Sequence, residues 1–474
     1  MVVGDIATGT EVLVIGAGPG GYVAAIRAAQ LELDVTLVEK DAWGGTCLNY
    51  GCIPSKALVS ATDLAHRARE AEHMGVHADS AVDMAGMQSW KDGVVDQLTS
   101  GVEKLCKGNG VTLVEGTAEF AGEGSVRVAH GGEGQGAETI EFEHAIVATG
   151  SRPIELPGFA FDGEHVLSSR EMLALSSVPD RLVVVGAGYI GMELATVFAK
   201  AGSDVTVVEV LDDALPGYED DVTRVVRRRA EDLGVTFRFG EAAAEWETRD
   251  DGLLVRTEAE DGTGGALSAD RCLVAVGREP VTDSLSLSAA GVEVDDGGFV
   301  PTDDRALTNV ESIYAIGDVA GEPMLAHKAM AEGRVAAEVI AGEPAALDQQ
   351  AIPAAVFTDP EVATVGMTEA EAAEAGFEPV VGELRLRANG RALTVDAPDG
   401  FVRVVADADS EFVLGAQLVA PEAAELVAEL ALAIEMGATL EDVAATVHVH
   451  PTIAEAVEEA AANARGEAIH TLNR

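Results

Sequence analysis

Two cysteines, Cys47 and Cys52, lie five residues apart in the segment 44–56, which reads Gly-Gly-Thr-Cys-Leu-Asn-Tyr-Gly-Cys-Ile-Pro-Ser-Lys. In a regular helix this spacing would hold their Cα atoms roughly 8 to 9 Å apart, and a disulfide tolerates at most about 7 Å. A bridge between them therefore requires a distorted turn, and distortion makes a disulfide easier to reduce. The spacing favours a redox-active disulfide over a structural one, with two unpaired thiols as the alternative.

A candidate general base lies near the end of the chain. His450 is followed by Pro451 and, five residues after the histidine, by Glu455 at the start of a predicted helix. A carboxylate one helical turn away can hold an imidazole ring in the orientation that proton abstraction requires. His450 and Glu455 are therefore candidate catalytic residues, whereas His448 is interpreted as a packing or orienting side chain.

Residues 11–40 and 181–210 form an internal repeat, since they align without a gap at an offset of 170 residues. Each copy has an apolar strand, a glycine cluster, a helix-length segment, a second strand and a final glutamate, as a βαβ dinucleotide-binding unit does. The glycines allow a tight turn and close approach of a pyrophosphate to a helix N-terminus, and the glutamate can bind ribose hydroxyls. The residues concerned are Gly16, Gly18, Gly21 and Glu39 in the first copy and Gly186, Gly188, Gly191 and Glu209 in the second.

The residues after Glu209 indicate which nicotinamide cofactor the second copy takes. They include Asp212 and Asp213, whose negative charges would repel a 2′-phosphate. Glu209 can accept a hydrogen bond from a free 2′-hydroxyl, so NAD is favoured over NADP.

The remaining apolar segments predict the fold that positions these groups. Short strands end in turn glycines at 145–150, 273–277 and 312–318, as strand ends facing a ligand do. A strand is predicted at 354–358 and helices at 423–436 and 452–462. We expect an α/β fold with two Rossmann-like dinucleotide-binding domains plus a C-terminal α+β domain. The first domain is expected to be discontinuous, at 1–150 and 280–345, with the second at 151–279 and the third at 346–474.

The composition predicts a folded, strongly acidic protein. The chain has 474 residues, 47% of them hydrophobic, and 81 acidic against 31 basic residues give a formal net charge of −50. Apolar segments throughout the chain argue against disorder, so we expect a packed core under a carboxylate-rich surface of the kind that a salt-rich cytoplasm screens. The charge disfavours nucleic-acid binding. No apolar run approaches the roughly 20 residues that cross a bilayer, and residues 1–6 lack signal-peptide character, so we expect a cytoplasmic protein without membrane association.

The other two cysteines, Cys106 and Cys272, stand alone in the sequence. They are interpreted as buried thiols, which behave as small apolar side chains. The cysteine spacing suits neither a zinc site nor a disulfide-stapled scaffold, so no metal is predicted.

The segment around Cys47 and Cys52 resembles the redox-active motif of the pyridine nucleotide-disulfide oxidoreductases. The similarity covers nearly the whole chain and continues through Ala148-Thr-Gly-Ser151, Val276-Gly-Arg-Glu-Pro280, Ile316-Gly-Asp-Val319, Met324-Leu-Ala-His-Lys328, Phe357-Thr-Asp-Pro-Glu-Val362 and His448-Val-His-Pro-Thr-Ile-Ala-Glu455. The resemblance implies FAD in the first nucleotide unit, NAD in the second and a homodimer whose interface is the C-terminal dimerisation domain. It also implies that His450 and Glu455 act on the dithiol bound at the other subunit's disulfide.

The resemblance assigns further residues to the two cofactors. Lys56 is expected beside the flavin, where its charge stabilises the anionic reduced ring, with Glu193 as its partner and near the nicotinamide. Asp318 is expected to bind the ribityl chain. The other expected FAD contacts are Gly45, Thr46, Thr149, Gly150, Met324, Leu325, Ala326 and His327, the last through packing or backbone. The other expected NAD contacts are Tyr189, Ile190 and Gly277.

The family resemblance also narrows the substrate. Pro54-Ser55-Lys56 is similar to the members that oxidise dihydrolipoamide and to mercuric reductases, although Tyr50 departs from the small apolar residue common there. Mercuric reductases carry a C-terminal cysteine pair, which Thr471-Leu-Asn-Arg474 lacks, and like glutathione reductases they prefer NADP. The implied reaction is oxidation of dihydrolipoamide by NAD⁺, with the substrate carried on a lipoylated acyltransferase or glycine-cleavage carrier protein. The alternatives are a glutathione- or mercuric-reductase-like enzyme, a structural subunit of a lipoyl-bearing complex, and a flavoprotein that does not use its dithiol.

Overall fold

The computed structural model of the chain describes residues 7–131 and 136–473. The expectation about residues 1–6 therefore lies outside the described residues, as does Arg474 at the end of the last predicted domain. The described chain forms β-sheets with helices packed on their faces, the layered arrangement by which each element buries its apolar side. The predicted α/β class is confirmed.

The first sheet is built mainly from the N-terminal part of the chain. Its strands and neighbouring helices are β1 (Ala7–Ile15), α1 (Pro19–Gln30), β2 (Val35–Glu39), α2 (Gly45–Tyr50), α3 (Cys52–Glu70), α4 (Met84–Gly108), β3 (Thr112–Glu115), β4 (Thr117–Gly122), β5 (Ser125–Ala129) and β6 (Ala137–Val147). The strand order is β3-β2-β1-β6-β5-β4. The strands from β3 to β6 in this order are parallel, whereas β5 and β4 are antiparallel.

The second sheet is parallel and follows in the chain. The elements of this region are β7 (Ser151–Pro153), β8 (Val166–Leu167), α5 (Ser169–Met172), β9 (Arg181–Val185), α6 (Tyr189–Ala201), β10 (Asp204–Glu209), α7 (Asp220–Asp232), β11 (Thr236–Phe239), β12 (Glu241–Arg249), β13 (Gly252–Ala259), β14 (Gly264–Ala269), β15 (Arg271–Val274) and β16 (Arg278–Pro280). The sheet order is β11-β10-β9-β15-β8, and β12 to β14 form a separate antiparallel sheet.

The chain enters and leaves this region through two paired strands. β7 and β16 run antiparallel to each other, and β17 (Ile313–Ala315) then returns to the first sheet, where it lies parallel to β6. The following helix α8 (Ala326–Ile340) packs against α1. The first nucleotide unit is thus assembled from two separated stretches of chain. The domain boundaries given above remain predictions.

The C-terminal part forms an antiparallel sheet covered by helices. Its elements are β18 (Ala354–Val356), β19 (Glu361–Gly366), α9 (Glu369–Glu374), β20 (Pro379–Arg385), α10 (Gly390–Thr394), β21 (Phe401–Asp407), β22 (Val413–Ala420), α11 (Ala423–Glu435), α12 (Leu440–Ala445) and α13 (Glu455–Ala464). The strand order is β18-β19-β22-β21-β20. The last helix begins three residues later than predicted, and the Glu455 carboxylate at its start accepts a hydrogen bond from the Thr452 N–H.

Burial explains the position of the redox segment. The central residues of β1 and β9 are shielded from solvent, as in parallel sheets with helices on both faces. Helix α3, which begins at Cys52, packs against α6, which begins at Tyr189. The redox cysteines are therefore held against the helix that follows the second glycine cluster.

Within the two described ranges, no helix is both long and apolar enough to cross a membrane.

Candidate active site

The helix that contains Cys47 stops before it reaches Cys52. Helix α2 ends at Tyr50, Gly51 has φ −133° and ψ −111°, and α3 begins at Cys52. The distorted turn predicted from the cysteine spacing is therefore present. Both residues are free cysteines in this structure, and both line the same cavity. Their disulfide remains a prediction.

The two thiols share a hydrogen bond that makes them unequal. This hydrogen bond lowers the pKa of the Cys52 thiol to about 7 against the opposing effect of burial, and the nearby Lys56 ammonium lowers it further. The same hydrogen bond, together with burial, raises the pKa of Cys47. Near neutral pH, Cys47 therefore stays protonated and its thiol donates a hydrogen bond to the Cys52 sulfur. Cys52 is readily ionised to the thiolate, which is the reactive form of a cysteine.

Lys56 and Glu193 form an ion pair between α3 and α6. The Lys56 Nζ lies 2.7 Å from Oε2 of Glu193, whose side chain is only 5% exposed. Glu193 also accepts hydrogen bonds from the Ser55 hydroxyl at 3.2 Å and the Phe357 backbone N–H at 2.9 Å. The Lys56 ammonium lies 4.4 Å from the centre of the Phe357 ring. The buried carboxylate is thus paired as burial requires, and the expected pairing with Lys56 is present.

The two glycine clusters have the same backbone restrictions. Gly16 has φ +103°, and a Cβ there would collide with the Ala148 carbonyl oxygen. A Cβ on Gly21 would collide with the Gly16 carbonyl oxygen, so this residue allows α1 to pack closely on the turn. Gly186 and Gly191 are restricted in the same two ways. The repeat found in the sequence is therefore a repeat of structure.

The glutamate that ends the second strand of each repeat is hydrogen-bonded to its own glycine turn. Glu39 accepts from the Ala17 N–H at 2.7 Å, and Glu209 accepts from the Ala187 N–H at 2.7 Å. Each carboxylate therefore lies beside the turn, where the ribose of a bound dinucleotide is expected. Ribose binding by Glu39 and Glu209 remains a prediction.

A cavity of about 940 Å³ connects the first glycine turn with the cysteines. Gly45 adjoins the turn so closely that a Cβ on it would lie 2.6 Å from the Gly18 Cα. The predicted FAD contacts that line this cavity are Gly16, Gly18, Glu39, Gly45, Thr46, Lys56, Thr149, Gly150, Asp318, Met324 and Ala326. The glycine turn without Cβ atoms, the N-terminus of α1 and the Lys56 ammonium in the same lining fit a flavin dinucleotide.

Some predicted contacts lie elsewhere. Gly21, Leu325 and His327 are not in the cavity lining, and FAD binding by these three residues remains a prediction. Leu325 has extended backbone at the start of α8, so side chains alternate there and its neighbours Met324 and Ala326 face the cavity instead. The His327 ring is bound to the Pro353 carbonyl oxygen at 2.7 Å, which agrees with its interpretation as a packing residue.

The predicted NAD contacts divide between two places. Tyr189, Ile190 and Glu193 line the FAD cavity from the first turns of α6. The cavity lining does not include the other predicted NAD residues, which belong to the second glycine turn and its strands: Gly186, Gly188, Gly191, Glu209 and Gly277. The start of α6 thus borders the cavity and directly follows the second glycine turn.

His450 and Glu455 are paired as expected. The His450 Nδ1 lies 2.8 Å from Glu455 Oε1, and the histidine side chain is 79% exposed. Although burial opposes the change, hydrogen bonds from the Thr452 N–H and from His450 lower the pKa of Glu455. His450 is not in the lining of the cavity that contains the cysteines. His448 lies between two glutamates with its side chain only 6% exposed, as a packing residue does.

Sequence reasoning gave no role to several residues of this site. Phe357 contacts both members of the Lys56–Glu193 pair, and Arg278 donates to the Ser151 hydroxyl, which donates to Asp318. Phe357 and Arg278 belong to motifs that resemble those of the family, and this membership indicated that they contribute to the site. Their contacts could not be predicted from neighbouring residues in the sequence, since Phe357 and Glu193 are 164 residues apart.

Comparison with protein families agrees with this geometry. Residues 10–333 match the family model described as pyridine nucleotide-disulphide oxidoreductase, and residues 352–461 match the dimerisation domain of the same family. The chain belongs to the pyridine nucleotide-disulphide oxidoreductase family. It is an oxidoreductase that uses FAD and NAD.

Individual relatives define the position within the family. The chain is 71% identical over 471 residues to dihydrolipoyl dehydrogenase 2 of Haloarcula marismortui, covering 99% of this chain and 100% of that protein. It is 69% identical over 475 residues to the dihydrolipoyl dehydrogenase of Haloferax volcanii, with full coverage of both. The crystal structure of LpdA from Mycobacterium tuberculosis matches with a TM-score of 0.88 at 29% identity, covering 95% of this chain and 99% of that chain. The two halophilic relatives agree with the acidic composition.

Proposed function

We propose that this enzyme oxidises dihydrolipoamide to lipoamide and reduces NAD⁺ to NADH, with FAD in the cavity beside Cys47 and Cys52. The cysteine pair carries the proposal, because both cysteines line the cavity that fits FAD together with Lys56 and Glu193. In dithiol–disulfide exchange a thiol with a lower pKa leaves faster, and the Cys52 pKa is lowered to about 7. The full-length relatives named dihydrolipoyl dehydrogenase support the choice of substrate.

The proposed reaction starts from the Cys47–Cys52 disulfide. His450 removes a proton from one substrate thiol, and the resulting thiolate attacks the Cys47 sulfur. The S–S bond breaks, a mixed disulfide forms on Cys47, and Cys52 leaves as a thiolate. The second substrate thiol loses its proton as its sulfur attacks the substrate sulfur of the mixed disulfide. The bond to Cys47 breaks, the lipoamide ring closes, and Cys47 takes up that proton to leave as a thiol, while the first proton stays on His450.

The ion pair supports the charge that this exchange creates. The Lys56 ammonium stabilises the Cys52 thiolate, as its lowering of the Cys52 pKa indicates. Glu193 and the Phe357 ring hold that ammonium in place. When bound, FAD supplies two-electron transfer between the dithiol and NAD⁺.

The proposed assembly is a homodimer in which each site takes His450 and Glu455 from the other subunit. The exposure of His450 and its separation from the cysteine cavity support this arrangement, as does the match to a dimerisation domain. We further propose an FAD-binding domain at 1–150 and 280–345, an NAD-binding domain at 151–279 and a dimerisation domain at 346–474. The return of β17 to the first sheet supports this division.

The proposed biological setting follows from the same chemistry. The substrate is a reduced lipoyl group on an acyltransferase or a glycine-cleavage carrier protein. The dithiol of this lipoyl group must reach Cys47. The location is the cytoplasm, which the charge of −50 and the halophilic relatives support.

An anaerobic assay of the purified dimer tests the proposed function. We expect NADH formation from dihydrolipoamide and NAD⁺, and His450→Gln should lower this rate by a factor of about 100 or more. NADH-driven reduction of ferricyanide should persist in that variant, because it needs no base at the disulfide. His470→Gln is the matched control, since His470 is 68% exposed and pairs with Glu459 at 2.6 Å. Activity only with glutathione and NADP⁺ would overturn the proposal.

A further inference from the structure

Tyr50, Arg170 and Asp41 form a cluster, here called the clasp, in which each side chain contacts the other two. The guanidinium carbon of Arg170 lies 3.6 Å from the centre of the Tyr50 ring. The Arg170 Nη1 lies 3.0 Å from Asp41 Oδ2, and the Tyr50 hydroxyl donates to Asp41 Oδ1 at 3.3 Å. The cluster therefore combines a cation stacked on a ring, an ion pair and a hydrogen bond.

The three residues come from separate parts of the fold and meet at the cofactor cavity. Asp41 follows the strand β2 that ends at Glu39, Tyr50 ends the helix that carries Cys47, and Arg170 lies in α5 beyond the second-sheet strand β8. All three residues of the clasp line the cavity of about 940 Å³. The clasp thus links the first nucleotide unit to α5 at the edge of the second, within the lining of the cavity that fits FAD.

We propose that the clasp closes the cavity over bound FAD and slows its release. This inference rests on the proposed placement of FAD in that cavity. For FAD to leave past the clasp, Arg170 must separate from both Tyr50 and Asp41. Tyr50 is the departure from the family-like motif noted above, and its ring supplies the surface on which the guanidinium stacks.

The stacked contact suits an acidic protein in a salt-rich medium. The side chains of Arg170 and Asp41 are 50% and 47% exposed, so salt screens their ion pair and leaves it weak. The contact of a planar guanidinium with an aromatic face depends partly on stacking and apolar area, which salt does not remove. We therefore assign most of the retention at high salt to the Tyr50–Arg170 contact.

The test measures FAD release directly. Holoenzyme is diluted into an excess of a flavin-scavenging apoprotein at low and at high KCl, and release is followed by flavin fluorescence. Arg170→Met and Tyr50→Val should each speed release by about threefold to tenfold, with the effect retained at high KCl. Arg170→Lys keeps the charge but loses the planar fork, and its release rate should lie between those of the wild type and Arg170→Met.

A matched control separates the clasp from general loss of surface charge. Arg256 is 47% exposed, pairs with Glu245 at 3.1 Å and lies outside the cavity lining, so Arg256→Met should leave release unchanged. Unchanged release in both Arg170→Met and Tyr50→Val, with unaltered circular dichroism, would overturn the clasp. Wild-type protein that is purified without FAD and does not bind added FAD would instead refute the placement of the cofactor.

Discussion

Removing the hydrogen bond between the two cysteines tests the origin of their inequality. Cys47→Ala loses the donor, whereas Cys47→Ser keeps a hydroxyl that can donate to Cys52. This hydrogen bond is the largest cause that lowers the Cys52 pKa from 9.0 to about 7. At pH 7 a thiol with a pKa of about 7 is about half ionised and one with a pKa of about 9 is about 1% ionised, so the loss can reach about fiftyfold. Lys56 remains in place and limits the loss, and we expect about tenfold.

Alkylation of Cys52 as a function of pH measures this thiolate fraction. Iodoacetamide reacts with the thiolate, so the rate rises with pH through the pKa, and mass spectrometry of the Cys52 peptide separates it from other sites. We expect a midpoint near pH 7 in Cys47→Ser and a higher midpoint in Cys47→Ala. Cys106 and Cys272 are internal controls, since burial raises their pKa values to about 11 and about 12. Equal midpoints in the two variants would refute the reasoning and assign the lowering to Lys56.

A comparison of Cys47→Ser with Cys52→Ser decides which cysteine faces the flavin. In FAD-loaded Cys47→Ser, the Cys52 thiolate should produce long-wavelength charge-transfer absorption. The band should grow as pH rises through about 7, following the pKa of Cys52. If Cys52→Ser shows the band instead, the two cysteines have the opposite roles.

Two further substitutions test cofactor choice and domain packing. Glu209→Ala removes the expected ribose acceptor, so the KM for NAD⁺ should rise about tenfold while the KM for dihydrolipoamide stays constant; steady-state kinetics showing an unchanged KM for NAD⁺ would contradict this role. Arg403 is 12% exposed and joins the C-terminal sheet to the segment at the start of α7, and its partners are Glu219, Asp221 and Glu383. Arg403→Met leaves these carboxylates facing one another, so the free energy of unfolding should fall by about 3 kcal/mol, and by less at high salt. Denaturant unfolding at two salt concentrations measures both effects, and a salt-independent loss would argue against carboxylate repulsion.

The sequence predicted those features that local geometry controls. The glycine clusters required a strand, a tight turn and a helix, and both repeats have that form around Gly16 and Gly186. The spacing of Cys47 and Cys52 required a break in the helix, and Gly51 provides it. In each case the restriction acts within a few residues, so it is visible in the sequence.

Contacts between distant segments were less accessible to sequence reasoning. The Phe357 N–H reaches Glu193 through a backbone atom that every residue except proline possesses, so residue type carries no sign of it. The Arg170–Tyr50 stack depends on how two sheets approach each other. Leu325 is not in the cavity lining, because side chains alternate along extended backbone and its two neighbours face the cavity instead.

The position of Glu193 has a mechanical consequence. Its carboxylate belongs to α6 of the second nucleotide unit, yet its partners are Lys56 in α3 and the backbone of Phe357 beside the C-terminal sheet. A hinge motion that swung the second unit outward would separate the buried Glu193 carboxylate from Lys56, whose side chain is 32% exposed, and from the Phe357 N–H, at a cost of about 3 kcal/mol. An open form would then be populated at less than roughly one part in a hundred. We infer that the second unit keeps its position against α3 while NAD⁺ exchanges, so the Lys56–Glu193 pair beside Cys52 stays intact.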